Sequence, residues 1–431
     1  MRWKPRTYQF IYSLLLFMVL GACVEELEIE TLSEDGAGML VVDAVFTDEL
    51  KTQMVYLSRS DSRLDLLTDT IYNPYMPSGI QPFDSVPPES GAHLRLVTDS
   101  GIEYDFTEGS KGQYFSNEPF ALEMNMAYNL QITTQSGSEY ISDTIQLAGA
   151  SEITNLYAER AISDTGVEGV AIYMDSDPVE GNPQHYRYAF EETYKIIAPY
   201  WQAYDFELSF FDTETQEHDL TIVERQVQNQ ICYNTVVSSG IDQVSTLGNA
   251  DSKVQRHMVR FIGQDNFIIS HRYSILVKQY VQSKEASSFY EVLKDFSQSE
   301  SLFSAVQPGA LYANVQRADG REENVLGYVE AVNVSEQRLF FNYEDFFPDE
   351  ELPPYAFGFN CDLQTAPLFS GPGCPQGLLP RVDLGLVSYF AVYDENLVPL
   401  ASCIGPYVFV PRLCGDCTLL GDNAPPNFWI E

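Results

Sequence analysis

His93-Leu94-Arg95-Leu96-Val97-Thr98-Asp99-Ser100-Gly101-Ile102-Glu103-Tyr104-Asp105-Phe106 alternates apolar and polar side chains on both sides of a short polar turn. Successive side chains of a strand point to opposite faces, so Leu94 and Leu96, then Ile102, Tyr104 and Phe106, line one side of a ribbon. Asp99-Ser100-Gly101 reverses the chain between them, as in a hairpin. The same period continues through Tyr128, Leu130 and Ile132, turns at 135–138, and restarts at Tyr140 and Ile141. Upstream, Met39-Leu40-Val41-Val42 and Met54-Val55-Tyr56-Leu57 are short apolar strands. Short strands at this spacing predict an immunoglobulin-like β-sandwich over 36–150.

Between the early strands lies a long segment, 59–91, rich in proline and holding Tyr72, Tyr75 and Phe83. A loop of that length in a compact domain is functional or disordered. Its aromatics are candidates for gripping a partner, with packing against the sandwich as the alternative.

From 151 to 431 the chain predicts a larger β-rich domain. Val170, Ile172 and Met174 alternate, as do Tyr186, Tyr188 and Phe190, and strand-like runs recur at 271–280, 325–334 and 338–342. One helix interrupts them: Ser283 caps it, Glu285 suits its first turn, and Phe289, Leu293 and Phe296 share a face. The expected fold class is therefore mainly β, with a loop-rich, cysteine-containing C-terminal end.

The first residues read as a leader. Arg2, Lys4 and Arg6 precede an apolar run from Phe10 to Leu20, too short to span a bilayer, and Leu20-Gly21-Ala22-Cys23 follows. Small residues before a cysteine suit cleavage after residue 22 and leave the Cys23 thiol as a lipid anchor. An ordinary signal peptide that happens to contain a cysteine is the alternative. Residues 23–35 then form an acidic tether carrying Glu25, Glu26, Glu28 and Glu30.

Cleavage removes three basic residues, so the net charge of −38 becomes −41 over the 409 residues left. Such a chain repels nucleic acid and anionic lipid surfaces and attracts cations or basic segments of a partner. Solubility alone also accounts for such a charge. Hydrophobic and aromatic contents of 45% and 13% exclude general disorder.

Besides Cys23 there are six cysteines, Cys232, Cys361, Cys374, Cys403, Cys414 and Cys417, five of them in the last 71 residues. An even number in an exported chain predicts disulfides, with connectivity open. Cys414-Gly415-Asp416-Cys417 also has the spacing of a redox pair or half a zinc site. No strand-to-helix context and no second close ligand pair supports either.

Motifs of catalysis are missing from the sequence: there is no G-x-S-x-G elbow, H-E-x-x-H pair or phosphate-binding glycine loop. His93, His185, His218, His257 and His271 lack ligand spacing, and His93 and His271 fall in strand-like runs. No cofactor is expected. For calcium, Asp175, Asp177 and Glu180 with Asn182 offer oxygens on what reads as a turn, and 344–351 is a denser acidic patch. Neither has an EF-hand pattern, so no metal is expected.

Several runs carry a family likeness. His271-Arg272-Tyr273-Ser274-Ile275-Leu276-Val277-Lys278-Gln279-Tyr280, the helix with Phe289 and Tyr290, Leu302-Phe303 before Gln307-Pro308, and Val325-Leu326-Gly327-Tyr328 resemble one core. Asp177-Pro178, Tyr186-Arg187-Tyr188, Cys232-Tyr233, the closing Cys414 to Cys417 and Phe428-Trp429 extend the likeness over nearly the whole mature chain. Together they resemble the domain of unknown function 4249 family of Bacteroidota lipoproteins. Val329 departs from it, standing where an aromatic is usual, and the proline-rich loop is longer than is common. The resemblance implies an outer-membrane lipoprotein facing the cell exterior, accessory to a TonB-dependent receptor, and it carries over no catalytic residue. A surface hydrolase of polysaccharide or peptide and an adhesion component are the alternative expectations.

Overall fold

The computed structural model describes residues 38–60, 87–248, 251–298, 313–399 and 401–431. The expected anchor Cys23, the expected tether 23–35 and the loop aromatics Tyr72, Tyr75 and Phe83 lie outside the described residues.

The first strands are β1 Leu40–Thr47, β2 Met54–Arg59, β3 His93–Thr98, β4 Glu103–Glu108, β5 Gln113–Ser116, β6 Tyr128–Thr133 and β7 Glu139–Ser142. Then come the long β8 Gly149–Ile162, β9 Glu168–Gly181 and β10 His185–Ile197, a hairpin of β11 Tyr204–Phe211 and β12 His218–Glu224, and β13 Ile231–Val237. β14 Asp242–Ser245, β15 Val254–Gly263, β16 Arg272–Gln282, β17 Val315–Arg317 and β18 Leu326–Asn342 follow. β19 Gln364–Thr365, β20 Val387–Val392 and β21 Tyr407–Pro411 end the series, and the fold is mainly β as the alternation predicts.

β3 and β4 form the expected hairpin, with Leu94 opposite Phe106 and Leu96 opposite Tyr104. Ile102 sits in the turn and is 47% exposed. The sheet runs β1-β2-β5-β4-β3-β6-β7-β17, yet it is not flat. Phe46 on β1 and Phe106 on β4 are three strands apart in that order, about 14 Å in a flat sheet. Their ring centroids are 5.9 Å apart, so the sheet folds around one core.

β18 joins the two halves of the molecule. Its first half pairs in parallel with β1, from Val41 opposite Leu326 to Thr47 opposite Val332, and its second half pairs antiparallel with β16. The two runs expected at 325–334 and 338–342 are thus one continuous strand, since the polar residues between them keep pairing with β16. Only glycine fits at 327, where φ is +90° and an added Cβ would lie 1.9 Å from the Val42 carbonyl oxygen. Val315, Val325, Val329 and Ala331 join the core of the first sandwich, and β17 pairs with β7. The first sandwich therefore completes its core with side chains from 315–331.

The second half is another sandwich. Tyr186, Tyr194, Tyr273, Ile275, Val277 and Val281 on β10 and β16 share a buried core with Val170, Ile172 and Met174 of β9. β9 is the central strand of a sheet ordered β15-β9-β8.

The helix Lys284–Gln298 follows β16 directly. The Ser283 hydroxyl accepts from Ala286 N at 3.1 Å, which caps it as expected. Phe289 meets Tyr328 of β18 with centroids 4.9 Å apart, and Tyr290 lies 4.5 Å under the Arg187 guanidinium of β10. The contact face is therefore Ala286, Phe289, Tyr290 and Leu293, while Phe296, in the last turn, is 42% exposed.

Arg187 is held between Tyr290 and Tyr280, each with its ring centroid 4.5 Å from the guanidinium carbon. Glu330 of β18 accepts from Arg187, from Gln282 Nε2 at 3.0 Å and from the Tyr290 hydroxyl at 3.1 Å. Burial first, then the charge of Glu330, hold the Tyr290 phenol well above its ordinary pKa, so it remains a donor.

The C-terminal end packs the β11–β12 hairpin against the sheet β19-β21-β20 around Ala366, Leu378 and Phe409. Three disulfides staple it: Cys232–Cys417, Cys361–Cys414 and Cys374–Cys403. The last residues lie on the outer face of the large sheet, where the Arg338 guanidinium is 3.5 Å from the Phe428 ring and Trp429 packs on Tyr233 and Phe340.

Candidate functional site

Residues three apart on a regular strand face opposite sides, yet His257 and Arg260 of β15 point the same way. The register shift against β9 between Met258 and Arg260 brings this about, setting His257 opposite Met174 and Arg260 opposite Ile172; a second shift lies before His257. Such bulges re-aim side chains. The two reach the open edge of the second sandwich, where a cavity of about 410 Å³ lies between β10, the end of β13 and β15.

β10 contributes Tyr188, Phe190 and Glu192, alternate residues of its inner face. The chain from Val236 to Asp242 closes one side. Ser238 pins that segment to β10: its N–H donates to the Phe190 carbonyl at 2.8 Å and its hydroxyl accepts from Phe190 N at 2.9 Å.

A salt bridge and a histidine–carboxylate hydrogen bond lie at the cavity. Glu192, 5% exposed, accepts from Arg260 Nη2 at 3.0 Å and Nε at 3.1 Å. The Tyr273 hydroxyl adds a third donor at 2.7 Å. Burial, followed by the Glu192 charge, raises the Tyr273 phenol well above its ordinary pKa, so it stays protonated and donates. The second pair is His257 Nε2 with Asp242 Oδ2 at 2.7 Å, and the imidazole centroid lies 4.6 Å from the Tyr188 ring. Burial also pushes the Tyr188 phenol up, and it donates to Gln279 Oε1 at 3.2 Å.

Both Glu192 oxygens are thus engaged by fixed donors, and Asp242 holds the imidazole. Apolar walls with a few oriented polar groups suit recognition of a ligand. A second concavity, about 460 Å³, lies on the C-terminal end beside Pro380, Arg381 and Leu384. There Arg381 is already taken by Gln364 and Gln376, which leaves mainly proline and leucine at the rim.

The other sequence candidates fall elsewhere. All six cysteines are disulfide-bonded, and Cys414 and Cys417 each bond a distant partner, so the C-x-x-C spacing is neither a redox pair nor half a zinc site. Asp175, Asp177 and Glu180 lie along β9 rather than on a turn. Asp175 accepts from Arg256 N at 2.6 Å and Asp177 pairs with Lys253 at 2.8 Å. In the acidic patch, Asp345 accepts from Asn342 N at 2.7 Å and Glu350 pairs with Arg160 at 3.0 Å. Among the described residues no group of three metal-ligating side chains comes together. Of the five histidines, His257 alone is placed at the cavity by its pair with Asp242. Sequence reasoning missed Arg260, because Val254-Gln255-Arg256-His257-Met258-Val259-Arg260-Phe261-Ile262 has no period of two to place it on a strand face.

A family model described as Domain of unknown function (DUF4249) matches residues 24–338, which is most of the chain. The chain belongs to that family. The DUF4249 match takes in the first sandwich and every residue of the cavity, and it stops within β18, before the five C-terminal cysteines. No curated protein matches the chain. Among solved structures, the B domain of a biofilm-associated protein is similar at 8% identity, covering 71% of this chain and 88% of that chain, with a TM-score of 0.13. A likeness that slight carries nothing about the DUF4249 fold or its role.

Proposed function

We propose that this DUF4249 protein is an outer-membrane lipoprotein of the Bacteroidota type, held by lipid on Cys23 and facing the cell exterior. In this reading it is a non-enzymatic binding or accessory protein that works beside a TonB-dependent receptor in nutrient uptake. The observation that carries the reading is the edge cavity: its Glu192 carboxylate is held by Arg260 and Tyr273 between apolar walls, an arrangement that suits holding a ligand. The leader, the small residues before Cys23 and the acidic tether support the anchoring.

The test is purification of the lipidated protein from its native outer membrane in mild detergent, with mass spectrometry of what accompanies it. A stoichiometric outer-membrane receptor is expected, and Cys23→Ala is expected to abolish palmitate labelling and move the chain to the soluble fraction. Recovery of the lipoprotein alone would sink the accessory role, and an unlabelled wild type would sink the anchor.

A further inference from the structure

Sheet edges are sites where another chain can add as a strand, and most edges here are blunted. β8 carries Glu152, Glu159 and Arg160; β15 is bulged twice; β17 has only three residues, one of them Arg317. β20 is bulged, and its Tyr389 N–H is taken by Asp205. β13 differs. Its seven residues, Ile231-Cys232-Tyr233-Asn234-Thr235-Val236-Val237, hold no charge and no proline in a chain of which 20% is charged.

The hydrogen bonds of β13 show which groups are open. Gln230 and Ser238 bond to β10, as even-numbered positions do, while Tyr233 exchanges both bonds outward with Asp422 at 2.8 and 2.9 Å. Thr235 and Val237 share the outward phase of Tyr233, and among the described residues their main-chain N–H and C=O groups have no partner. Val237 is 65% exposed. The cavity opens beside this stretch, with Phe190, Val236 and Ile241 as apolar wall, Asp242 as a carboxylate and Glu192 already paired with Arg260.

We infer that β13 accepts an extended segment of a protein partner as an added strand at Thr235 and Val237, and that a lysine or arginine of that segment enters the cavity. Main-chain bonds along the edge supply affinity and alternate side chains supply specificity. A long aliphatic stem fits the apolar wall, and its cation meets Asp242 in a chain with net charge −38. The inference rests on the binding reading above and names the class of partner.

The test uses the full lipidated protein in detergent and the capped heptapeptide acetyl-Thr-Val-Thr-Lys-Thr-Val-Thr-amide. Wild type is expected to bind it, more weakly as salt rises. Exchange of the lysine for glutamate, or N-methylation of alternate amides, is expected to weaken binding at least about tenfold. Val237→Pro removes one open N–H at an edge position that tolerates proline and should lose about as much, whereas Val237→Thr should bind like wild type. Absence of binding, equal binding of the glutamate peptide, or wild-type binding by Val237→Pro overturns the inference. If the receptor still co-purifies in that case, only this inference fails; if co-purification fails, the binding reading fails with it.

Discussion

Replacing Glu330 with alanine lowers the stability of the folded chain by about 3–5 kcal/mol, read from urea denaturation. Glu330 is 2% exposed and accepts three hydrogen bonds, from Arg187, Gln282 and Tyr290. Arg187 cannot lose its proton, and its side chain, 15% exposed, is fixed between two tyrosine rings. Removing the carboxylate takes away the hydrogen-bonded partner of a largely buried cation, which costs more than the pair contributes to stability, and leaves Asp43 as the neighbouring negative charge. β18 carries Glu330 through both sandwiches, so the loss falls where the halves meet. Glu330→Gln keeps an acceptor and loses the charge, and it should fall between alanine and wild type. A Glu330→Ala protein within about 1 kcal/mol of wild type would show that Arg187 finds another partner.

The Cys232→Ala, Cys417→Ala double variant is the second large loss. This disulfide closes 185 residues of sequence separation, against 53 for Cys361–Cys414 and 29 for Cys374–Cys403. Loop-closure entropy gives an upper figure of about 5 kcal/mol for the longest and about 4 kcal/mol for each of the others. It also ties β13 to the C-terminal end, next to the edge where Asp422 pairs with Tyr233. The variant should therefore free the last residues to limited proteolysis near residue 422 before the sandwiches unfold. Equal loss from removing Cys374–Cys403 would contradict the loop-length account.

Alternation made the hairpin of β3 and β4 legible, since Leu94, Leu96 and Phe106 all turn inward. Ser283 announced the helix for the same local reason, because a cap is decided within four residues. Pairing among six cysteines was not legible, since connectivity depends on contacts that span up to 185 positions. Nor was the dual role of β18, whose two halves serve different neighbours on opposite edges of one strand. The cavity stayed hidden because it depends on a bulge in β15. Read as a plain strand, β15 sends His257 and Arg260 to opposite faces, and only the register shift between Met258 and Arg260 turns both the same way. Asp175 and Asp177 misled in the other direction, since closely spaced carboxylates read as a turn whereas β9 continues through them.

Photo-cross-linking in living cells tests most directly whether the protein acts through this edge. A cross-linking residue replaces Ser239 on the cavity rim in one strain and Ile162, 71% exposed at the end of β8, in another. A discrete adduct with one outer-membrane partner is predicted from position 239 and none from position 162. An adduct from 162 with none from 239 would contradict the account.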